Sequence, residues 1–352
     1  MRKTAAKLLA AAAIATSVVT VASGTAVADP STLPTLPTAN DFVGVGSDTT
    51  QAILNQFSVD YNAFLTASGN TTSPRLYSWD ATGTTPIVAT KTGATQIARP
   101  NGSGAGIKAL ENNTNTTVDF ARSSRGPQTG DQATDYFIAF AKDAVSWAAK
   151  AGGNAPANLT TADLKDIYTC AKTTWSAINP SWPATTIKPF LPQADSGTRS
   201  YFLKTIGSGV AVTPGACVVS GTQENQGTDP VLNDNDAIVP YSVAHYIGQV
   251  YYGHAAGSDA QGPLTVRNVN GVTAIDTTAK TIDANFAQTD YARVVYNVVR
   301  QSEWTSTAAR GVALRSIFGA NGWICKNATA AADLKSYGFL ALANGCGVST
   351  HI

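Results

Sequence analysis

The sequence predicts an α/β chain built as two lobes. From residue 41 onward, short apolar runs with strand character alternate with segments whose apolar residues recur at helical spacing, the pattern of sheets flanked by helices. Three strand-to-helix junctions are rich in Gly, Ser and Thr: GVGSDTT (44–50), NGSGAG (101–106) and ADSGT (194–198). Of the 352 residues, about 324 follow an N-terminal leader, more than a single core usually organises.

The leader has the form of an export signal. Arg2, Lys3 and Lys7 precede the apolar run LLAAAAIATSVVTVA (8–22), and AVADP (26–30) offers small residues for cleavage between Ala28 and Asp29. The run is poorer in large apolar residues than a membrane span of about 20 residues requires. No Cys follows it closely, the first being Cys170, so no lipid anchor is expected. The expected product is a secreted, extracellular chain, with a signal peptide at 1–28 and an extended Pro/Thr-rich lead-in at 29–40.

DFVGVG (41–46) then predicts a short buried strand ending in glycines, and Ile53, Leu54, Phe57 and Tyr61 share one face of the helix that follows. TQIARPNGSGAGIKALEN (95–112) repeats strand, glycine turn and helix. TTVDFARSSRGP (116–127) is a strand ending in hydroxyls and arginines, and DYFIAFAKDAVSWAAK (135–150) begins as a strand and continues without a clear period. LTTADLKDIYTCA (159–171) is a helix with Thr160 or Thr161 as its N-cap. TTIKPFLPQADSGTRSYFLKTIG (185–207) is strand, loop and helix, and NDAIVPYSVAHYIGQ (235–249) is an apolar run feeding a helix. No fixed-period repeat interrupts this order.

Composition narrows the function. Without the leader, 21 Lys and Arg face 23 Asp and Glu, a net charge near −2, and no basic cluster is present to displace counterions from nucleic acid. Nucleic acid is therefore not an expected partner. Four cysteines in an exported chain should pair. Of three possible pairings, Cys325 with Cys346 and Cys170 with Cys217 is preferred, because each bridge then stays within one lobe. No CxxC occurs and His245, His254 and His351 are scattered, so neither a metal nor another cofactor is expected. There is no GxSxG or HExxH, and the one histidine in a motif-bearing stretch, His245, falls in a helix pattern, so no catalytic residue is expected. Trp175 and Trp182 offer an aromatic pair for sugar, but lobe packing is the expected role.

The three junctions point to an anion. A helix N-terminus carries about half a positive charge and several free N–H groups. In open α/β sheets, ligands bind beyond the carboxyl ends of strands, where such termini converge. Junctions from two lobes facing one cleft would surround a small anionic or polar ligand with donors.

GVGSDTT, NGSGAGIKAL, VDFARSS, LTTADLKDIYTCAKTTW, ADSGTRSYFL and AIVPYSVAHY occur in an order that resembles the substrate-binding proteins of phosphate ABC transporters. More broadly the chain resembles the type 2 periplasmic-binding-protein-like family, in an actinobacterial secreted form, over roughly residues 41–250 and more loosely beyond. The resemblance implies two lobes, each a mixed sheet flanked by helices, with a hinge between them: 41–138 plus 240–352 as lobe 1, and 139–239 as lobe 2. It also implies ligand donors at Ser47, Asp48 and Thr49, at Ser103, and at Ser196, Gly197 and Thr198.

Two family positions differ here. The Asp that accepts the proton of hydrogen phosphate is replaced by Ser124, and the Arg preceding the SGT motif is replaced in the neighbourhood of Pro192 and Gln193. A buried oxyanion needs several donors and usually an Arg fork. The candidate replacements are Arg122 and Arg199, with Arg99 and Arg125 nearby, each able instead to pair on the surface, for instance with Asp119 or Asp195. Asp48 is either a displaced acceptor or a plain N-cap. The expectation is a monomeric solute-binding protein that captures a small oxyanion, phosphate first, for an ABC permease. The alternative is the same fold holding another polar solute, or serving as an extracellular binding or adhesion protein without transport.

Overall fold

The computed structural model describes residues 36–83 and 87–352; the expected signal peptide and the start of the lead-in lie outside the described residues. In chain order the elements that position the site are β1 (Phe42–Gly46), α1 (Gln51–Ala67), β2 (Leu76–Ser78), α2 (Ser103–Asn112), β3 (Phe120–Ser123), β4 (Asp135–Lys150), α3 (Thr161–Tyr168), β5 (Lys188–Pro192), α4 (Gly197–Ile206), β6 (Val219–Thr222), β7 (Ala237–Ser242), α5 (Val243–Tyr251) and β8 (Ala292–Arg300). The strands join in one mixed sheet of order β2-β1-β3-β8-β4-β7-β5-β6.

Two parallel wings make up this sheet. In one, β1 pairs in parallel with β2 and β3. In the other, β5 pairs in parallel with β7 and β6. Between them lies β4, antiparallel to β8 over its first part and to β7 over its last, the change falling between Ala144 and Val145. The two wings therefore run in opposite directions, and the carboxyl ends of β3 and β7 both approach the middle of β4.

Alternation explains β1. Phe42 faces Ile53, Leu54 and Phe57 of α1 in the large core, whereas Val43 and Val45 belong to a second core with Ile107 and Leu110 of α2. A strand covered on both faces has no polar side, hence the unbroken apolar run. Thr160 caps α3, accepting from the Asp163 N–H while the Asp163 carboxylate accepts from the Thr160 N–H, a reciprocal capping box. Trp175 is fully buried and Trp182 packs against the same core.

The undecided half of DYFIAFAKDAVSWAAK proves to be strand throughout. Its alanines and lysines favour a helix in isolation, but ladders on both edges satisfy its backbone, and tertiary pairing outweighs the propensity. Disulfides join Cys170 to Cys217 and Cys325 to Cys346, the preferred pairing. Among the described residues, no helix is long and apolar enough to cross a membrane.

Candidate functional site

The site is built outward from the middle of β4. Asp143 stands opposite Arg293 in the β4–β8 register. Its carboxylate accepts from Arg293 Nε at 3.0 Å and Nη2 at 2.8 Å, from Ser242 Oγ at 2.9 Å, and from the Ala244 N–H at 3.0 Å. Both partners are buried, so the charges meet with little solvent screening and each is compensated. Asp143 thus ties the carboxyl end of β7 and the first turn of α5 to the amino end of β8.

From this anchor Arg293 Nη2 also donates to Thr198 Oγ1 at 3.0 Å, and Arg293 Nη1 has no hydrogen-bond partner among the described residues. Thr198 lies in the first turn of α4, which Ser196 caps by accepting the Arg199 N–H at 2.9 Å. Across a narrow seam stands Thr49, in the turn between β1 and α1, its hydroxyl oxygen 3.0 Å from that of Thr198. Glu224 Oε2 closes the triangle, accepting from Thr49 Oγ1 at 2.7 Å and Thr198 Oγ1 at 3.0 Å. Asn225 Nδ2 reaches Thr49 Oγ1 at 3.3 Å, and Gln223 Nε2 donates to Asp48 at 3.0 Å.

A second set of contacts zips the same seam. The Gly104 N–H donates to Asp195 O at 3.0 Å, and Ser103 Oγ accepts the Ser124 N–H at 3.0 Å. Gly197 packs directly on both serines: a Cβ there would lie 2.3 Å from Ser103 Oγ and 2.4 Å from Ser124 Oγ. Asn101 exchanges amide hydrogen bonds with Gln223 and accepts from Gln193. Lys108 pairs with Asp195 at 3.0 Å at the exposed rim.

The seam is acidic and densely buried. Burial, followed by the charges of Asp259 and Glu224, pushes the Asp48 carboxyl up to about 7. Behind it, His245 Nε2 lies 2.6 Å from Asp259 Oδ1 and Nδ1 lies 3.3 Å from Thr49 O. Burial opposes charge on His245, but Asp259 and then Asp48 outweigh it and raise the imidazole to about 9. His245 is therefore a cation that buttresses the turn holding Thr49. Buried polar groups are nearly always hydrogen-bonded, yet Ser47 Oγ, Thr50 Oγ1, Glu224 Oε1 and Arg293 Nη1 have no partner among the described residues. All four belong to this seam or to the turn entering it.

The structure thus brings Thr49, Thr198, Asp48, Gly197, Ser103 and Ser124 together, with Ser47 and Ser196 supporting their turns. Asp48 caps nothing with its side chain; Thr50 holds the N-cap position of α1, and the Asp48 carboxylate turns to Gln223 and Asn225. Arg122 is fully buried, and its guanidinium donates to Ser47 O, Trp79 O, Gly46 O and Ser78 Oγ, bracing the turn after β1. Burial, with a smaller push from the charge of Arg99, pulls it down to about 10 against the opposing charges of Asp80 and Asp48. Arg199 Nη1 donates to Pro192 O, and Arg125 forks onto Asp131.

The sequence reading missed Asp143, Glu224, Asn225 and Arg293. Asp143 carried a signal, a lone acid inside an apolar run, which calls for a buried partner. Glu224 and Asn225 sit in TQENQGTD (222–229), which has the composition of a surface loop, and Arg293 opens a strand with no motif around it.

A two-winged α/β sheet with a polar seam where the strand ends converge is the type 2 periplasmic-binding-protein fold. The chain belongs to the PBP superfamily, whose domain matches residues 34–313. That family consists of substrate-binding proteins, not enzymes. Among solved structures it is similar to an ABC-type phosphate transport receptor from Vibrio cholerae, at 17% identity over 86% of this chain and all of that one, TM-score 0.54. It is also similar to a substrate-binding protein from Clostridium perfringens solved with bound phosphate, at 16% identity over 86% and 100%, TM-score 0.56. A phosphate-binding protein from Stenotrophomonas maltophilia follows at 14% identity over 87% and 91%, TM-score 0.51. At such identities the likeness is one of fold. No curated protein sequence matches the chain.

Proposed function

We propose that this is a secreted, monomeric solute-binding protein that captures a small oxyanion, phosphate first, between two lobes for uptake by an ABC permease. The lobes are taken as 41–138 with 240–352, and 139–239, so that β4 and β7 form the crossings. The change of partner along β4 at Ala144 and Val145 supports a hinge a few residues beyond the first of those limits. The observation that carries the reading is Arg293. It is a buried guanidinium held by Asp143, in contact with Thr198, with one Nη unpartnered. It supplies the cation that an oxyanion requires, from a strand far in sequence from the glycine turns. Thr49, Ser103, Ser124, Ser196, Gly197 and Thr198 stand as the neutral donors around it. The ligands of the Vibrio and Clostridium proteins favour phosphate within this class.

Closure would bury the ligand and create the surface that a permease reads. A second reading, another polar solute in the same cleft, is favoured by the carboxylates of Asp48 and Glu224 at the seam, since they disfavour a fully ionised anion. Calorimetric titration of the mature chain with inorganic phosphate and with sulfate separates the two. Thr198→Ala removes a donor to charged groups, a loss of about 1.5–3 kcal/mol and so roughly ten- to hundredfold in phosphate affinity. Unchanged affinity in that variant rejects the proposed site.

A further inference from the structure

Glu224 has an unusual position for an acid in an anion-binding seam. It is almost completely buried. Its Oε2 lies at the end of a donor relay: Arg293 Nη2 donates to Thr198, and the Thr198 and Thr49 hydroxyls reach the carboxylate. The three oxygens are 2.7, 3.0 and 3.0 Å apart, all direct hydrogen-bond distances, so no ligand atom fits between them. Thr49 and Thr198, the two hydroxyls that would meet an oxyanion beside Arg293, are already turned toward a carboxylate oxygen of the chain itself.

We propose that Glu224 is an internal placeholder: its carboxylate occupies the oxyanion position, and ligand binding exchanges it for a free oxyanion. The inference rests on the oxyanion-capture reading above. Two like charges at contact in a buried site repel strongly, so an ionised ligand and Glu224 do not share the triangle. The attachment of Glu224 suits displacement. Its Oε1 has no partner among the described residues, and its own side chain is held by two neutral hydroxyls, with no cation bonded to it directly. It lies between Gly221 at φ +113° and Asn225 at φ +56°, backbone conformations from which a short segment can re-aim. Until exchange, the placeholder holds the two sides of the seam together. It sets a threshold that a ligand must exceed, and so acts as a specificity-determining residue.

The test uses the mature protein unfolded and refolded in phosphate-free buffer, as wild type, Glu224→Gln and Glu224→Ala. Titration with inorganic phosphate and sulfate gives affinities, and small-angle scattering without either anion gives the degree of closure. The expected result is phosphate binding at least tenfold tighter in both variants than in wild type, with a larger radius of gyration for the anion-free variants. Weaker phosphate binding in Glu224→Gln overturns the placeholder and makes Glu224 an acceptor for a proton on the ligand. If no form binds either anion, the oxyanion reading fails; different scattering between wild type and variants still upholds Glu224 as the internal clasp, and coincident curves remove that role too.

Discussion

Arg293 and Asp143 are the residues on which the site turns. The pair is cross-strand, buried and bidentate, and Asp143 also holds Ser242 and the start of α5. Removing one partner of such a pair leaves an uncompensated charge away from water, so Arg293→Ala should cost about 3–5 kcal/mol of stability. Arg293→Lys keeps the charge but loses the planar fork that reaches Asp143 and Thr198 together, so it should be milder for stability and still weaken phosphate binding at least tenfold. Urea denaturation and calorimetry measure both, and an unchanged urea midpoint for Arg293→Ala would count against the pair as the anchor. At this scale the sequence was least informative. An arginine at the start of a strand is unremarkable until the fold shows what lies across from it.

Among the elements, α4 was the most legible. Ser-Gly-Thr-Arg after a strand predicts a capped helix, and Ser196 caps it through the Arg199 N–H. Its first residue has a role that no local rule supplies. Gly197 is there because Ser103 and Ser124, from α2 and the end of β3, come against its Cα. Gly197→Ala should leave the helix intact or slightly favoured, since Ala is the better helix former, while the added methyl wedges the seam apart. The expected outcome is a near-native melting temperature, an enlarged radius of gyration by small-angle scattering, and loss of phosphate binding. A variant that closes and binds like wild type would show that the contact between α4 and the two serines does not govern closure. For β4 the local signals showed the strand start and left the second half undecided, because its strand state depends on partners at both edges.

The whole molecule should be more stable in mild acid than in mild alkali. Burial raises the carboxyls of Asp48, Asp135 and Asp333 to about 7, helped by Asp259 and Glu224, by Glu111, and by Asp60 respectively. His245, against its own burial, is raised by Asp259 to about 9. Each group binds its proton more tightly folded than unfolded. Its contribution is therefore complete below the ordinary value, near 3.8 for the acids and 6.5 for the imidazole, and is lost as pH rises through the folded value. Melting temperature should fall as pH rises from about 5 to about 9, the acids acting in the lower part of that range and His245 in the upper. Asp48→Asn should flatten the lower part, and His245→Gln the upper. Thermal melts at constant ionic strength decide it; a rise in melting temperature across the lower range contradicts these assignments.

The sequence by itself determined the α/β class, the three glycine-rich strand-to-helix turns and the capping hydroxyl of Ser196. It also pointed to the disulfide pairing. These follow from periodicity, backbone sterics and short-range hydrogen bonding, which operate between near neighbours. Only the tertiary structure decided which charges meet at the seam. Arg293 reaches Thr198 from 95 residues away and Glu224 reaches Thr49 across 175, through a sheet whose two wings share β4. A buried ion is stable only beside its partner, and no local pattern records which distant strand will bring that partner.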